Sequence, residues 1–356
     1  MRRHNRFLFV LALLSLYSLS GCGRADRAGA RYVVDLVAAV KSGEVRAFDL
    51  AALGTVEHRL VIDETEQPFA SFNFFPVDEQ SALVMDWDKA ARVSLDDGSI
   101  LARYGRKGRG PMEYTRLRSC SFLADTVYLR SNTKILAFDL EGQGIGESAV
   151  VSTQNLVLLP GGHYFRFNAT DFKEDVPLFD VIDRSGNVLR QSSIVASSVG
   201  QTAILQLNNA RKWDGDWYTL PAHSDMIWKI SETEDVPWIR LWEGSYAMPA
   251  EYLADLEKYD EMADLYITEL SYLLVGDYFL CRFARGDYHL AVFDLKTGKL
   301  LFHTTSKQRE GLGFPIDYEG QTISLWPVFA DEYHIICRGK TSEELWLLSR
   351  TPSHPA

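Results

Sequence analysis

Four arginines stand at one place in a recurring short strand. The segments are Val127-Tyr128-Leu129-Arg130, His163-Tyr164-Phe165-Arg166, Phe279-Leu280-Cys281-Arg282 and Ile335-Ile336-Cys337-Arg338. A guanidinium is a rigid planar fork of donors, suited to carboxylate, sulfate or phosphate. If the repeat is radial, the four occupy one ring and form a site for an anionic small molecule, glycan or peptide. Two further copies differ, with Asp86 and Leu220 at the same place. Arg106, Lys107 and Arg109 would add positive charge from a glycine-rich loop, Gly105 to Tyr114. A competing use exists for every one of these cations. The chain has 48 Asp and Glu against 37 Lys and Arg, so each can simply pair with a carboxylate. The loop itself is explained by its glycines and Pro111 without any ligand.

Other chemistry leaves little trace. The Gly-x-x-Gly-x-Gly spacing at 105–110 lacks the Gly-Lys-Ser/Thr of a phosphate loop and does not run from strand to helix. The eight histidines show no paired metal spacing, and no Gly-x-Ser-x-Gly elbow occurs. No catalytic residue, metal or cofactor is therefore assigned. His223 with Asp225 is the one plausible local pair, and solvated loop residues account for it equally well. Trp87, Trp228 and Trp346 are expected to pack between repeats rather than serve as sugar platforms. Trp213 and Trp217 sit nearer a turn. The net charge of −11 argues against nucleic acid.

The elements that must position these residues are strands. Short runs rich in Val, Ile, Tyr, Phe and Trp alternate with Asp/Gly/Asn turns from end to end, an all-β pattern. One unit recurs: a strand, a polar loop, a second strand, an Asp-x-x-Gly-like hairpin and a third strand. The clearest copies are Thr126 to Ile145 and Tyr278 to Leu300. Ala82 to Leu101, Tyr164 to Leu189, Trp217 to Ile239 and Tyr333 to Leu348 follow the same grammar. Each is preceded by an apolar strand, the fourth by Ala203 to Asn208. Six four-stranded units repeating every ~40 to 60 residues predict a six-bladed β-propeller. The last unit lacks an outer strand after Arg350, so Val56 to Ile62 is expected to close that blade. Pro249 to Tyr266 breaks the pattern. Its apolar residues at 253, 256, 262 and 265 predict one helix inserted between the fourth and fifth units, with an acidic outer face.

The N-terminus supplies an address. Arg2, Arg3 and Arg6 precede an apolar run from Phe7 to Leu19, too short to span a bilayer comfortably. Met1 to Gly21 reads as a secretory signal. Its removal takes three arginines and no acids, so the charge moves from −11 to −14. Of the remaining cysteines, Cys281 and Cys337 fall at matching places in neighbouring units, further apart than the ~7 Å a disulfide allows. Cys120, Cys281 and Cys337 are expected as buried thiols.

Two features carry a family resemblance. Gly105-Arg106-Lys107-Gly108-Arg109-Gly110-Pro111-Met112-Glu113-Tyr114 resembles the loop between blades in six-bladed propellers of the NHL and TolB-like type. Leu19-Ser20-Gly21-Cys22 resembles a lipoprotein signal-peptidase box. Together they resemble the lipid-anchored six-bladed propellers of Gram-negative bacteria. That resemblance implies acylation of Cys22 and an outer-membrane anchor facing the periplasm. It implies a tether and extension over 22–54, a propeller over 55–350 and a tail at 351–356. It also implies a funnel face built from inter-blade loops and second-to-third-strand turns. Propeller lactonases use a central Glu/Asn/Asp metal site that has no match here. Two functions follow as expectations: a binding or scaffold module for an anionic ligand, peptide or envelope partner, or an extracytoplasmic hydrolase or lyase acting on a glycan or lactone.

Overall fold

The computed structural model describes residues 29–62, 69, 73–149, 155–159, 161–168, 176–196, 210–221, 224–253, 255–309, 312–331, 333–339 and 345–350. Cys22 and His223 lie outside the described residues.

The chain forms six antiparallel sheets arranged as a six-bladed propeller. Blade one runs through Asn73–Pro76, Ser81–Met85, Ala90–Ser94 and Ile100–Arg103. Blade two uses Leu117–Leu123, Thr126–Ser131, Lys134–Phe138 and Gly144–Ala149. Blade three uses Asn155–Leu158, Tyr164–Phe167, Phe179–Ile182 and Val188–Gln191. Blade four uses Ala210–Trp213, Asp216–Thr219, Met226–Ile230 and Asp235–Trp242. Blade five uses Thr268–Val275, Tyr278–Arg285, Asp287–Asp294 and Leu300–Ser306. Blade six uses Gln321–Ala330, His334–Arg338 and Leu345–Arg350, preceded by Phe314–Tyr318.

The Asp-x-x-Gly hairpins have a direct cause. In blade three, Asp183 Oδ1 accepts from Ser185 N at 2.8 Å and from Asn187 N at 2.9 Å. Gly186 then takes φ +87°, which a side chain resists. Middle strands are packed on both faces by neighbouring blades, so they read as continuous apolar runs. Leu290, Ala291, Val292 and Phe293 are all fully buried.

Ring closure comes from the N-terminus. Gly54–Leu60 pairs antiparallel with Leu345–Arg350, with Gly54 opposite Arg350 and Leu60 opposite Leu345. The closing strand was expected from Val56 and begins two residues earlier. A Cβ at Gly54 would sit 2.3 Å from the Ser349 carbonyl oxygen, so the edge accepts only glycine there.

The residues before this strand form a strap along two more blades. Tyr32–Asp35 pairs parallel with the outer strand of blade four, and Val45–Arg46 antiparallel with that of blade five. Between them lies a helix, Leu36–Lys41, capped by Asp35 Oδ1 accepting from Ala38 N at 2.9 Å. Leu36, Ala39, Leu50 and Leu53 are buried against the propeller.

Two histidines of blade five fasten the strap. His303 Nδ1 lies 3.1 Å from the Gly43 carbonyl oxygen and 3.2 Å from Ser42 Oγ. His289 Nδ1 lies 3.0 Å from His303 Nε2, and His289 Nε2 lies 3.4 Å from the Arg285 carbonyl oxygen, so the two rings link the strap to blade five as a chain. Both rings are buried.

One sequence expectation needs correction. The 249–266 segment is not one helix. It folds as Ala250–Leu253, then Leu256–Met262, then a 3-10 turn at Ala263–Leu265. Asp255 explains the break, since its carboxylate caps Glu257 N at 3.1 Å and Lys258 N at 3.3 Å and starts a new helix. Of the four apolar positions, Leu253 is buried and Leu265 is 54% exposed. The described inner strand of blade four is Ala210–Trp213; Ala203 to Asn208, where the sequence placed it, lies outside the described residues. Cys120, Cys281 and Cys337 are free and buried, and burial pushes all three thiols up.

Candidate functional site

One face of the disc carries the ends of the second strands, the turns that follow them and the inter-blade loops. Strand pairing shows the four arginines to be equivalent. Arg130, Arg166, Arg282 and Arg338 stand opposite Ser119, Leu156, Ser271 and Trp326 of their inner strands. Their surroundings nevertheless differ.

Arg282 and Arg338 come together. Arg282 Nη1 donates to the Leu312 carbonyl oxygen at 3.2 Å, and its guanidinium lies 4.1 Å from the centroid of Trp326. Its Nε is buried and has no hydrogen-bond partner among the described residues. Burial, then the charges of Arg309 and Arg338, bring its pKa down to about 9. It stays charged at neutral pH, but in a place that disfavours charge. Burial also lowers Arg338. Arg309 reaches Glu269 at 3.5 Å, both side chains being about half exposed.

Arg166 has a carboxylate. Its Nη2 lies 2.5 Å and its Nε 3.2 Å from Asp180 Oδ2, and Asp180 is buried. This pair sits within blade three and neutralises the charge. Arg130 is 6% exposed, and burial followed by the nearby Arg118 lowers its pKa. It lines a cleft of about 20 Å³ with Ser119, Ser121, Tyr128 and Tyr164, enough for one water. In blade one, Asp86 turns its carboxylate onto the backbone N–H groups of Asp88 and Lys89 at 2.7 and 2.8 Å.

The Gly105 to Tyr114 loop is braced by Glu113. Its Oε2 accepts from Gly110 N at 2.7 Å and its Oε1 from Arg106 Nε at 2.7 Å. The Gly110 N–H first, then Arg106, hold its carboxyl below the usual range. Lys107 bonds Asp88 at 2.9 Å, and Arg109 is exposed. Met112 takes φ +55°. A left-handed residue there is the physical reason glycine would be the expected occupant.

Several residues were missed from sequence. Arg309 and Leu312 lie on the loop joining blades five and six, which carries Lys307, Arg309, Gly311 and Gly313. That composition parallels Gly105 to Tyr114 and was the available signal. Trp87 was expected between repeats; it stands on a turn and is 48% exposed. Glu243 ends blade four, its carboxyl pushed up to about 7 by burial and then by Asp225. Asp225 in turn pairs with Arg240 at 3.2 Å. No sequence spacing marked Glu243. Among the described residues no cluster of three or more metal-ligating side chains occurs.

With this geometry in view, comparison with known proteins places the fold. The family described as 6-bladed beta-propeller (DUF5128) matches residues 78–314, and the chain belongs to it. Among solved structures it resembles a putative exported protein from Bacteroides fragilis, with a TM-score of 0.64 at 12% identity. That likeness covers 90% of this chain and 99% of the other. A weaker likeness is to BamB from Moraxella catarrhalis, with a TM-score of 0.35, 13% identity and coverage of 78% and 83%. Such likenesses speak to fold alone. A comparison with curated proteins gives no match.

Proposed function

We propose that this chain is a non-catalytic binding or scaffold propeller of the cell envelope, taking an anionic group of a small molecule, glycan, peptide or partner protein at Arg282, Arg338 and Arg309. One observation carries the reading. Arg282 is a half-buried cation beside two other cations, its buried Nε has no partner, and no carboxylate is bonded to it among the described residues. A buried charge is expensive to leave so placed, and an anion on this cluster would relieve the cost. Arg109 adds positive potential, whereas Arg106, Lys107 and Arg166 are each paired with a carboxylate, of Glu113, Asp88 and Asp180.

The reading is tested with inorganic sulfate and phosphate at constant ionic strength, following thermal unfolding. The parent is expected to gain stability with anion concentration, by mass action on the folded state. An Arg282→Ala/Arg338→Ala variant is expected to lose that response, and added NaCl should weaken it in the parent. Equal responses in both proteins would remove these arginines as anchors.

The address rests on the leader and on Leu19 to Cys22. Cys22→Ser is expected to move the protein from the membrane fraction to the soluble envelope fraction. Unchanged membrane association would refute lipidation of that residue.

A second reading has one observation in its favour. Glu243, its carboxyl pushed up to about 7, stands beside Asp225, which is paired with Arg240, and two carboxyls in different surroundings can serve as acid and base. A hydrolase or lyase acting on a glycan or lactone would use that pair. Turnover by the parent that disappears in Glu243→Gln would establish it.

A further inference from the structure

We propose that the Trp87 turn, with Arg116 and Arg118, is a subsite for an anionic sugar unit, a pyranose bearing a carboxylate or a sulfate. It lies where blade one meets blade two and does not depend on the Arg282 reading.

The first reason is the presentation of Trp87. The indole is 48% exposed, yet its backbone is braced from three sides. Asp86, only 6% exposed, accepts from the N–H groups of Asp88 and Lys89 and shapes the turn. The Trp87 carbonyl oxygen accepts from Leu117 N at 2.8 Å. The Asp88 carbonyl oxygen accepts from Tyr114 Oη at 3.2 Å, while the Asp88 carboxylate takes Lys107 Nζ at 2.9 Å. An aromatic ring held half in water on a rigid mount is preorganised for contact, which lowers the entropy cost of binding. Asp86 stands where four other blades carry arginine, so blade one has a turn-building carboxylate and an exposed ring in place of a cation.

The second reason is charge. The Arg116 guanidinium lies 4.3 Å from the Trp87 ring centroid. Arg118, also exposed, donates from Nε to Asn132 Oδ1 at 2.6 Å, a bond that leaves its terminal nitrogens available to a ligand. Asp86 and Asp88 are engaged with the turn and with Lys107. Ring and forks together match a sugar whose C–H face stacks on indole while its acid group meets arginine. One exposed aromatic among cations offers too little apolar area for a stable protein interface.

The test titrates the parent with trigalacturonate, with a sulfated trisaccharide and with neutral maltotriose, read by calorimetry and tryptophan fluorescence. At least one acidic sugar should bind saturably, and maltotriose about tenfold more weakly or worse. Trp87→Ala and Arg116→Ala should each weaken binding about tenfold, with unchanged melting temperature, and Trp87→Phe should keep most of it. Arg282→Ala should leave it unaltered, which separates this subsite from the cluster between blades five and six. The two acidic arms distinguish carboxylate from sulfate. No binding of either acidic sugar, equal binding of maltotriose, or full binding by Trp87→Ala would overturn the proposal.

Discussion

Blades four to six and blades one to three solve the problem of their outer edges differently. In the first group the chain's own N-terminus lies along the edges. Tyr32–Asp35 covers blade four, Val45–Arg46 blade five and Gly54–Leu60 blade six. In the second group no described strand pairs with the outer strands. Gly144–Ala149 is exposed at every position, and Leu101, Ile145, Val188 and Leu189 are each about half exposed or more. Only one of the three added strands is needed to complete a four-stranded blade. The other two are supplementary, and they bring Leu36, Leu50 and Leu53 into the core. Thus strand count alone does not explain the strap; burial of its apolar residues does.

The comparison can be broken at its strongest point by Gly54→Val. The new side chain would meet the Ser349 backbone, and loss of the closing strand would open two sheet edges. The expected result is failure to fold or aggregation, seen by circular dichroism and size exclusion. A well-folded variant would show that the ring does not depend on this pairing.

A smaller effect is expected from acid. Burial, and for His289 also the neighbouring His303, pushes both imidazoles below their ordinary value. Arg285 works in the same direction on His289, whereas Asp287 and the Arg285 carbonyl oppose it; the Gly43 carbonyl opposes the shift on His303. The unfolded chain then binds more protons over the interval below about pH 6.5, so stability rises with pH there. Stability should be full above that value and fall as the pH drops through it. Lowering the pH from about 7.5 to about 5 should reduce the protection factors for amide exchange at residues 42–46 before those of blades one to three. A His303→Asn variant should show a shallower pH slope. Identical slopes would dissociate the histidines from the strap.

The smallest effect belongs to the bare edges. Leu189→Lys should change stability by no more than about 0.5 kcal/mol by chemical denaturation, since the side chain is 52% exposed. A loss comparable to that of Leu50→Ala, about 2–5 kcal/mol, would show that this edge is covered by something.

Much of the fold was legible because propeller blades repeat a local code. The second strands were readable from alternation and from the Asp-Gly hairpins, which are set by residues next to each other. Ala210–Trp213 was not, because Arg211 and Lys212 make an inner strand look polar. The preceding Ala203 to Asn208 run offered a stronger apolar signal. The broken helix was missed because periodicity outweighed Asp255, whose capping role competes with helix continuation. The candidate site was legible only as a ring of equivalent arginines. What separates Arg166 from Arg282 is Asp180 on one neighbouring strand against Leu290 on the other. Such differences depend on cross-strand partners, which a motif search along the chain does not register.

The closing strand also fixes an order of events. Ser349 and Glu57 touch across 292 residues of sequence. The segment made first therefore has no final partner until the last strand has been made. Until then blade six presents an open edge, and the early chain must stay unpaired without pairing wrongly. Contacts of such separation slow folding. The ring therefore closes last, however early its individual blades form.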